Sequence, residues 1–186
     1  MRYAGFWPRL LAGLLDFLVF LPMVALYLWA SSFSRNIALF IEVPYDLLWP
    51  LYSIFFHARW GQNIGKMLAG IRVVRLDGTQ ITWREAMLRF SIDTVFAVAS
   101  AISNFIGLLQ FPPEQYQALG WFERTGRVGE LAPFSSELVV AMNLWVWSEL
   151  IVLLLNRKRR ALHDFIAGTV VVHDTGTRIV EVGTTA

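Results

Sequence analysis

The sequence predicts an all-α membrane protein: four transmembrane helices forming two parallel two-helix repeats, each followed by a cytoplasmic amphipathic helix and a short β-strand or hairpin. Three observations carry this. Hydrophobic residues make up 56% of the 186 positions, including 14 Phe and 8 Trp, against ~45–50% in a soluble domain. Four segments are long, apolar and poor in charge, as helices crossing a ~30 Å hydrocarbon layer must be. A phrase centred on Ala-Gly occurs twice, once after the second segment and once after the fourth.

The first span covers residues 10–30, with Arg9 at its mouth, Pro22 inside and Asp16 as its one charge. A carboxylate in hydrocarbon costs at least ~2.5 kcal/mol, so Asp16 calls for a partner or a task. The run is too long for a secretory leader and lacks a small-residue cleavage site, so it is expected to remain as a helix. The second span, residues 43–57, is weaker: it holds Pro44, Asp46 and Pro50, which predicts a tilted or broken helix, with a re-entrant segment as the alternative. The third, residues 86–109, carries Arg89 and Asp93 near its start. The fourth, residues 138–155, carries Glu149 and ends before Arg157-Lys158-Arg159-Arg160.

Lys and Arg collect before span one, between spans two and three and after span four, whereas the opposite side holds Arg35, Arg124 and Arg127 diluted by acids, Glu42 among them. The positive-inside rule then puts both termini in the cytoplasm and residues 111–137 outside. Trp60, Trp83, Trp121 and Trp145 fit interfacial belts, and His57 is expected at an interface.

The repeated phrases align on Ala69-Gly70 and Ala167-Gly168. Each reads as an amphipathic turn, a glycine break, a β-branched strand and a turn ending in Gly-Thr. Asp77-Gly78 is a hairpin signal, with Ile81-Thr82-Trp83 as the returning strand. This divides one membrane domain into residues 1–84 and 85–186, with Asp16 opposite Asp93 and the extra length at about 111–137, where insertion is tolerated. A pseudo-two-fold axis along the membrane normal follows.

Several separated stretches closely resemble the RDD family: Arg9 with Asp16; Gly61-Gln62-Asn63-Ile64-Gly65-Lys66 leading to Gly70; Leu88-Arg89 to Asp93; and Arg160-Ala161-Leu162-His163-Asp164 through Gly168. The family is named for an arginine and two aspartates. Arg9 and Asp16 match the first two, and Asp93 and Asp164 both remain open for the third. Typical members have Thr-Pro where this chain has Asn63-Ile64. The resemblance implies a multi-pass protein of the bacterial inner membrane suspected of transport, with sodium/proton exchange proposed for some members.

Asp16, Asp93 and Glu149 lie at similar depths in their spans, about 10 Å or less from the cytoplasmic ends at ~1.5 Å per residue. Buried carboxylates at one depth are proton or cation carriers in transporters. Arg9 and Arg89 are the expected charge partners. An architectural role for the aspartates, holding helices together through these arginines, accounts for the pattern equally well.

No cysteine is present, which excludes disulfides, thiolate catalysis and zinc–thiolate sites. Residues Gly61 to Lys66 have one residue too few for a phosphate loop, and Met67 stands where a magnesium-binding hydroxyl belongs. His163-Asp164 reads better as a helix cap than as a proton relay or metal pair. No catalytic set converges, so neither an enzyme, a cofactor nor a metal is expected. Two functions remain: a small cation/proton exchanger using Na⁺ or H⁺, acting as a homo-oligomer because four spans enclose little space, or a membrane scaffold docking a cytoplasmic protein. Apart from these, the bilayer is the expected partner. The basic cluster beside span four fits anionic lipid rather than nucleic acid.

Overall fold

A computed structural model describes residues 1–174. Four helices are long and apolar enough to cross a membrane: α1 (Phe6–Ser31), α2 (Arg35–Trp60), α5 (Ser91–Gln110) and α8 (Ser135–Leu155). Between and beyond them lie α3 (Ile64–Leu68), β1 (Ile71–Arg75), α4 (Trp83–Arg89), α6 (Pro113–Ala118), α7 (Trp121–Leu131), α9 (Leu162–Ile166) and β2 (Thr169–His173). The bundle is built around α2 and α5, with α1 packed on α2 and α3, and α8 packed on α5. One end carries β1, β2, α3, α4 and α9 and is called the sheet end; the other carries α6 and α7 and is called the loop end.

The second span is a continuous 26-residue helix despite Pro44 and Pro50. It is neither broken nor re-entrant, because neighbouring helices tolerate the proline-freed carbonyls that water would otherwise have to satisfy. Ser34 Oγ accepts from Ile37 N at 3.2 Å to begin it. Gly61, at φ +68°, ends it in the left-handed conformation that glycine adopts without strain.

Two further expectations are corrected. The third span starts at Ser91, not residue 86, because the chain bends at Phe90 and leaves Arg89 in the last turn of α4. Ile81-Thr82-Trp83 does not return as a strand. The Asp77-Gly78 turn forms, with Thr79 N donating to Asp77 Oδ1 at 2.9 Å, but Thr82 then caps α4, Glu85 Oε2 accepting from its backbone N–H at 2.8 Å.

The partner of β1 is β2, antiparallel, with Val73 opposite Val171. The N-terminal segment adds to the other side of β2 through Ala4 N to Val171 O at 2.9 Å and His173 N to Arg2 O at 3.0 Å. Ala4, Ala12, Ile71, Val73, Ile81 and Val171 form the buried cluster beneath. The turn expected at Thr175-Gly176-Thr177 lies outside the described residues. At the loop end Ala38, Leu108, Phe111 and Tyr116 form a second core. Tyr116 OH donates to Ser31 O at 2.8 Å, closing α6 over the end of α1.

Two glycines separate packing from backbone strain. A Cβ at Gly65 would overlap the Ala12 carbonyl and the Asp16 carboxylate, whereas Gly70, at φ +64°, faces open space. Gly65→Ala is therefore expected to exceed the ~1–3 kcal/mol of ordinary overpacking, and Gly70→Ala to cost about 1–2 kcal/mol from the left-handed backbone alone. Melting temperature and gel-filtration profile in detergent check the order; equal losses would contradict it.

Candidate functional site

The polar residues form two groups, one at each end of the bundle. At the sheet end Asp164 is fully buried. Its Oδ2 accepts from Arg9 Nη1 at 2.8 Å and from the Ala161 amide at 2.9 Å. Its Oδ1 accepts from Arg89 Nη1 and lies 3.3 Å from the Thr169 hydroxyl. Asp164 thus caps α9, as expected for a His-Asp pair opening a short helix, and it also joins α1, α4 and α9. Burial would raise its pKa, but the charges of Arg89 and Arg9 outweigh burial and hold it well below the usual carboxylate range. Among the described residues neither Arg9 nor Arg89 forms an ion pair with Asp16 or Asp93. Their forks converge on Asp164, which of the two open candidates for the family's third aspartate is the one bonded to Arg9.

The sequence-selected span acids are also engaged at this end. Asp16 Oδ1 accepts from Gly65 N at 2.8 Å and from Tyr52 OH at 3.0 Å. Glu149 Oε1 accepts from His163 N at 2.9 Å. Gly65 and His163 are equivalent in the Ala-Gly alignment, so each short helix starts on a carboxylate from a span. Asp93 is bonded to Trp145 Nε1 at 3.2 Å. That tryptophan is the middle residue of α8 and no interfacial anchor. Arg89 Nη2 donates to His163 Nε2 at 2.7 Å, which leaves Nδ1 to carry the ring proton 2.5 Å from Glu149 Oε2.

The motif residues mostly close on one another. Gln62 donates to Ile71 O and Asp174 Oδ2, at 3.0 and 3.1 Å. Arg160 donates to the Thr169 and Asp164 carbonyls, at 3.0 and 2.8 Å. Gly70 and Gly168, at φ +64° and +66°, turn α3 and α9 into their strands. Lys66 donates to Asn63 Oδ1 at 3.2 Å. Burial, reinforced by the charge of Arg89, pushes its pKa down to about 7, so this amine exchanges its proton near neutrality.

The second group was not singled out in the sequence. Between α1, α2, α5, α7 and α8 at the loop end lies a partly open cavity of ≈ 460 Å³, with Tyr27, Glu42, Tyr45, Asn104, Tyr116 and Arg124 among its walls. Glu42, read from the sequence as a loop acid, is 4% exposed and accepts from Tyr27 OH at 2.6 Å. Tyr27 stacks on Tyr45 with ring centroids 4.1 Å apart. Asn104 of α5 is a side-chain partner of both Glu42 and Asp46.

From this cavity a polar face of α2 descends toward the sheet end. Glu42, Asp46, Ser53 and His57 are spaced by four, seven and four residues, which keeps them on one side of a helix. Asp46 Oδ2, Ser53 Oγ and His57 Nε2 are buried atoms without a hydrogen-bond partner among the described residues. His57 is fully buried, not interfacial. Its Nδ1 donates to the Ser53 carbonyl at 2.7 Å, which leaves Nε2 without a partner inside the bundle among the described residues. The four-seven-four spacing was the sequence signal for this face. It was obscured because Pro44 and Pro50 made the segment read as a broken helix. Among the described residues no group of three His, Asp or Glu side chains is gathered to hold a metal ion.

The sequence model of the RDD family matches residues 3–168. Among curated proteins, the chain is similar to the uncharacterized protein YckC of Bacillus subtilis (strain 168), with 29% identity over 174 residues, covering 92% of this chain and 85% of that protein. No solved structure matches.

Because the Asp164 pKa in the folded protein lies below its unfolded value of ~3.9, its stabilisation is complete above about pH 4 and is lost as pH falls through the lowered value. Asp164→Asn leaves two arginines without their buried counter-charge and is expected to cost about 3–5 kcal/mol. Melting temperatures in detergent should differ most between pH 5 and 8 and converge only below about pH 4. A variant as stable as the parent at pH 7 would remove Asp164 from its central position.

Proposed function

The chain belongs to the RDD family, and from that premise we propose that this membrane protein is a small exchanger of alkali cations and protons, with the sheet end in the cytoplasm and the loop end outside. The observation that carries this reading is the asymmetry between the two ends. A cavity lined in part by Glu42 lies at the loop end, while at the sheet end Arg9 and Arg89 converge on the buried Asp164; we read the first as the open side and the second as the closed one. An access path open on one side and sealed on the other is one half of an alternating-access cycle.

Glu42 and Asp46 take the cargo-binding role in this reading. They are carboxylates on adjacent turns, both beside Asn104, and Glu42 lines the loop-end cavity. Intramembrane acids in such a position mark ion and proton pathways. Ser53 and His57 continue the polar face inward with free hydrogen-bonding capacity. Lys66, with its pKa near 7, supplies a proton-exchanging group near the far end. Asp16, Asp93 and Glu149 hold the closed end together: each already accepts a hydrogen bond from a neighbouring element. The two-repeat organisation is supported by the strand register, in which the equivalent residues Val73 and Val171 face each other as a local two-fold requires.

The scaffold reading draws less support. Docking through the motif stretches would need Gln62, Arg160 and Asp164 to face outward, and all three bond internally.

Purified protein in vesicles carrying a pH gradient tests the proposal. Adding Na⁺ or K⁺ should dissipate the gradient, and Glu42→Gln should slow this at least tenfold while leaving melting temperature and gel-filtration profile unchanged. Asp16→Asn should instead reduce the yield of folded protein. No cation-dependent proton flux, or flux indifferent to Glu42→Gln and Asp46→Asn, would overturn the exchanger reading.

A further inference from the structure

Of the four spans, α8 has the smallest buried share. Val140, Leu144, Trp147 and Ile151 follow one helical face and are 59%, 67%, 60% and 53% exposed. Apolar side chains facing lipid need no protein partner, since acyl chains are as apolar as they are. Asn143 is different. It is exposed on the same side of α8, two residues from the middle of this 21-residue helix and hence ~3 Å from mid-span. Its Nδ2 donates one hydrogen bond, to the Val139 carbonyl of its own helix at 2.8 Å. The other N–H and Oδ1 have no partner among the described residues. Hydrocarbon offers none, and an unsatisfied polar group there is costly.

A carboxamide is both donor and acceptor, so its simplest partner across a symmetric contact is another copy of itself. Two copies inserted with the same topology are related by a two-fold axis along the membrane normal, which brings the same residue of each α8 face to face. Beside Asn143 a shallow recess lined by Ser136, Glu137, Val140, Ala141 and Leu144 offers room for side chains of a facing helix, with Glu137 at the end of α8 away from mid-span. The cavity containing Glu42 lies between the spans of one chain, so this face is separate from the proposed transport site and does not depend on that reading.

We propose that α8 is a dimerisation helix: a second copy of this chain packs α8 against α8 in parallel, and the two Asn143 amides exchange hydrogen bonds near the bilayer midplane. Amide pairing in membranes shifts dimer affinity by a factor of about ten.

The chain has no cysteine, so single-cysteine variants report contacts without background. In vesicles containing the purified protein alone, oxidation should join Val140→Cys, Leu144→Cys and Trp147→Cys into dimers. The same treatment should leave Leu14→Cys, on the exposed side of α1, monomeric. Resonance energy transfer between labelled copies, followed on lipid dilution, should show a dissociation constant about tenfold higher for Asn143→Leu and little changed for Asn143→Gln. Leu is more compatible with hydrocarbon than Asn, and an unchanged melting temperature for the monomer would confirm that the variant folds. Monomers at all three α8 cysteine positions, equal cross-linking at Leu14→Cys, or an Asn143→Leu affinity equal to the parent would each overturn the proposal.

Discussion

The buried Asp164 carboxylate is the constraint on which the sheet end depends. It receives guanidinium forks from Arg9 on α1 and Arg89 on α4 while capping the first turn of its own helix. A buried charge is tolerated only when its lone pairs are filled, and here the groups that fill them come from elements far apart in sequence. Arg9 also reaches the Ala4 and Arg159 carbonyls, at 3.3 and 2.6 Å. The entry to the first span and the exit from the fourth are therefore held at one point. Asp164 thereby links α1, α4 and α9.

The remaining span acids at this end follow a related principle. Asp16 and Glu149 each accept the backbone N–H of a residue in the first turn of a short helix, where orphan amides and the helix dipole favour negative charge. A short helix thus gives a carboxylate in a span what solvent would otherwise provide, and the carboxylate orients that helix beneath the bundle. Gly65 belongs to the same arrangement, since only a residue without a side chain allows α3 to approach Ala12 and Asp16 this closely. Groups engaged in this way are suited to holding a closed end.

The loop-end acids differ in one physical respect. Glu42 accepts from a tyrosine hydroxyl, the Asn104 carboxamide lies beside both acids, and among the described residues neither acid forms an ion pair with an arginine. The α2 face beyond them retains unused donors and acceptors at Ser53 and His57. The Asp164 carboxylate is thus held by two arginines, whereas the α2 face from Asp46 to His57 keeps buried polar atoms without partners among the described residues. The exposed amide of Asn143 on α8 is unsaturated in the same sense, but it faces outward.

The sequence by itself determined the class, the number of spans and the family, because hydrophobic length, composition and contiguous motifs are local properties. It also determined that Arg9, Asp16 and Arg89 matter, since charges beside or within apolar runs stand out. It did not determine their partners. Arg9 and Asp164 are 155 positions apart, and a register such as Val73 on Val171 depends on how two distant tails meet rather than on either tail alone. Span two was the least legible, because prolines that would break a helix in water are tolerated inside a bundle. With it the face of Glu42, Asp46, Ser53 and His57 was lost to a sequence reading, although its spacing is helical. Only the tertiary structure decided which acids meet arginines or helix amides and which meet neutral side chains, because those donors are brought from other elements.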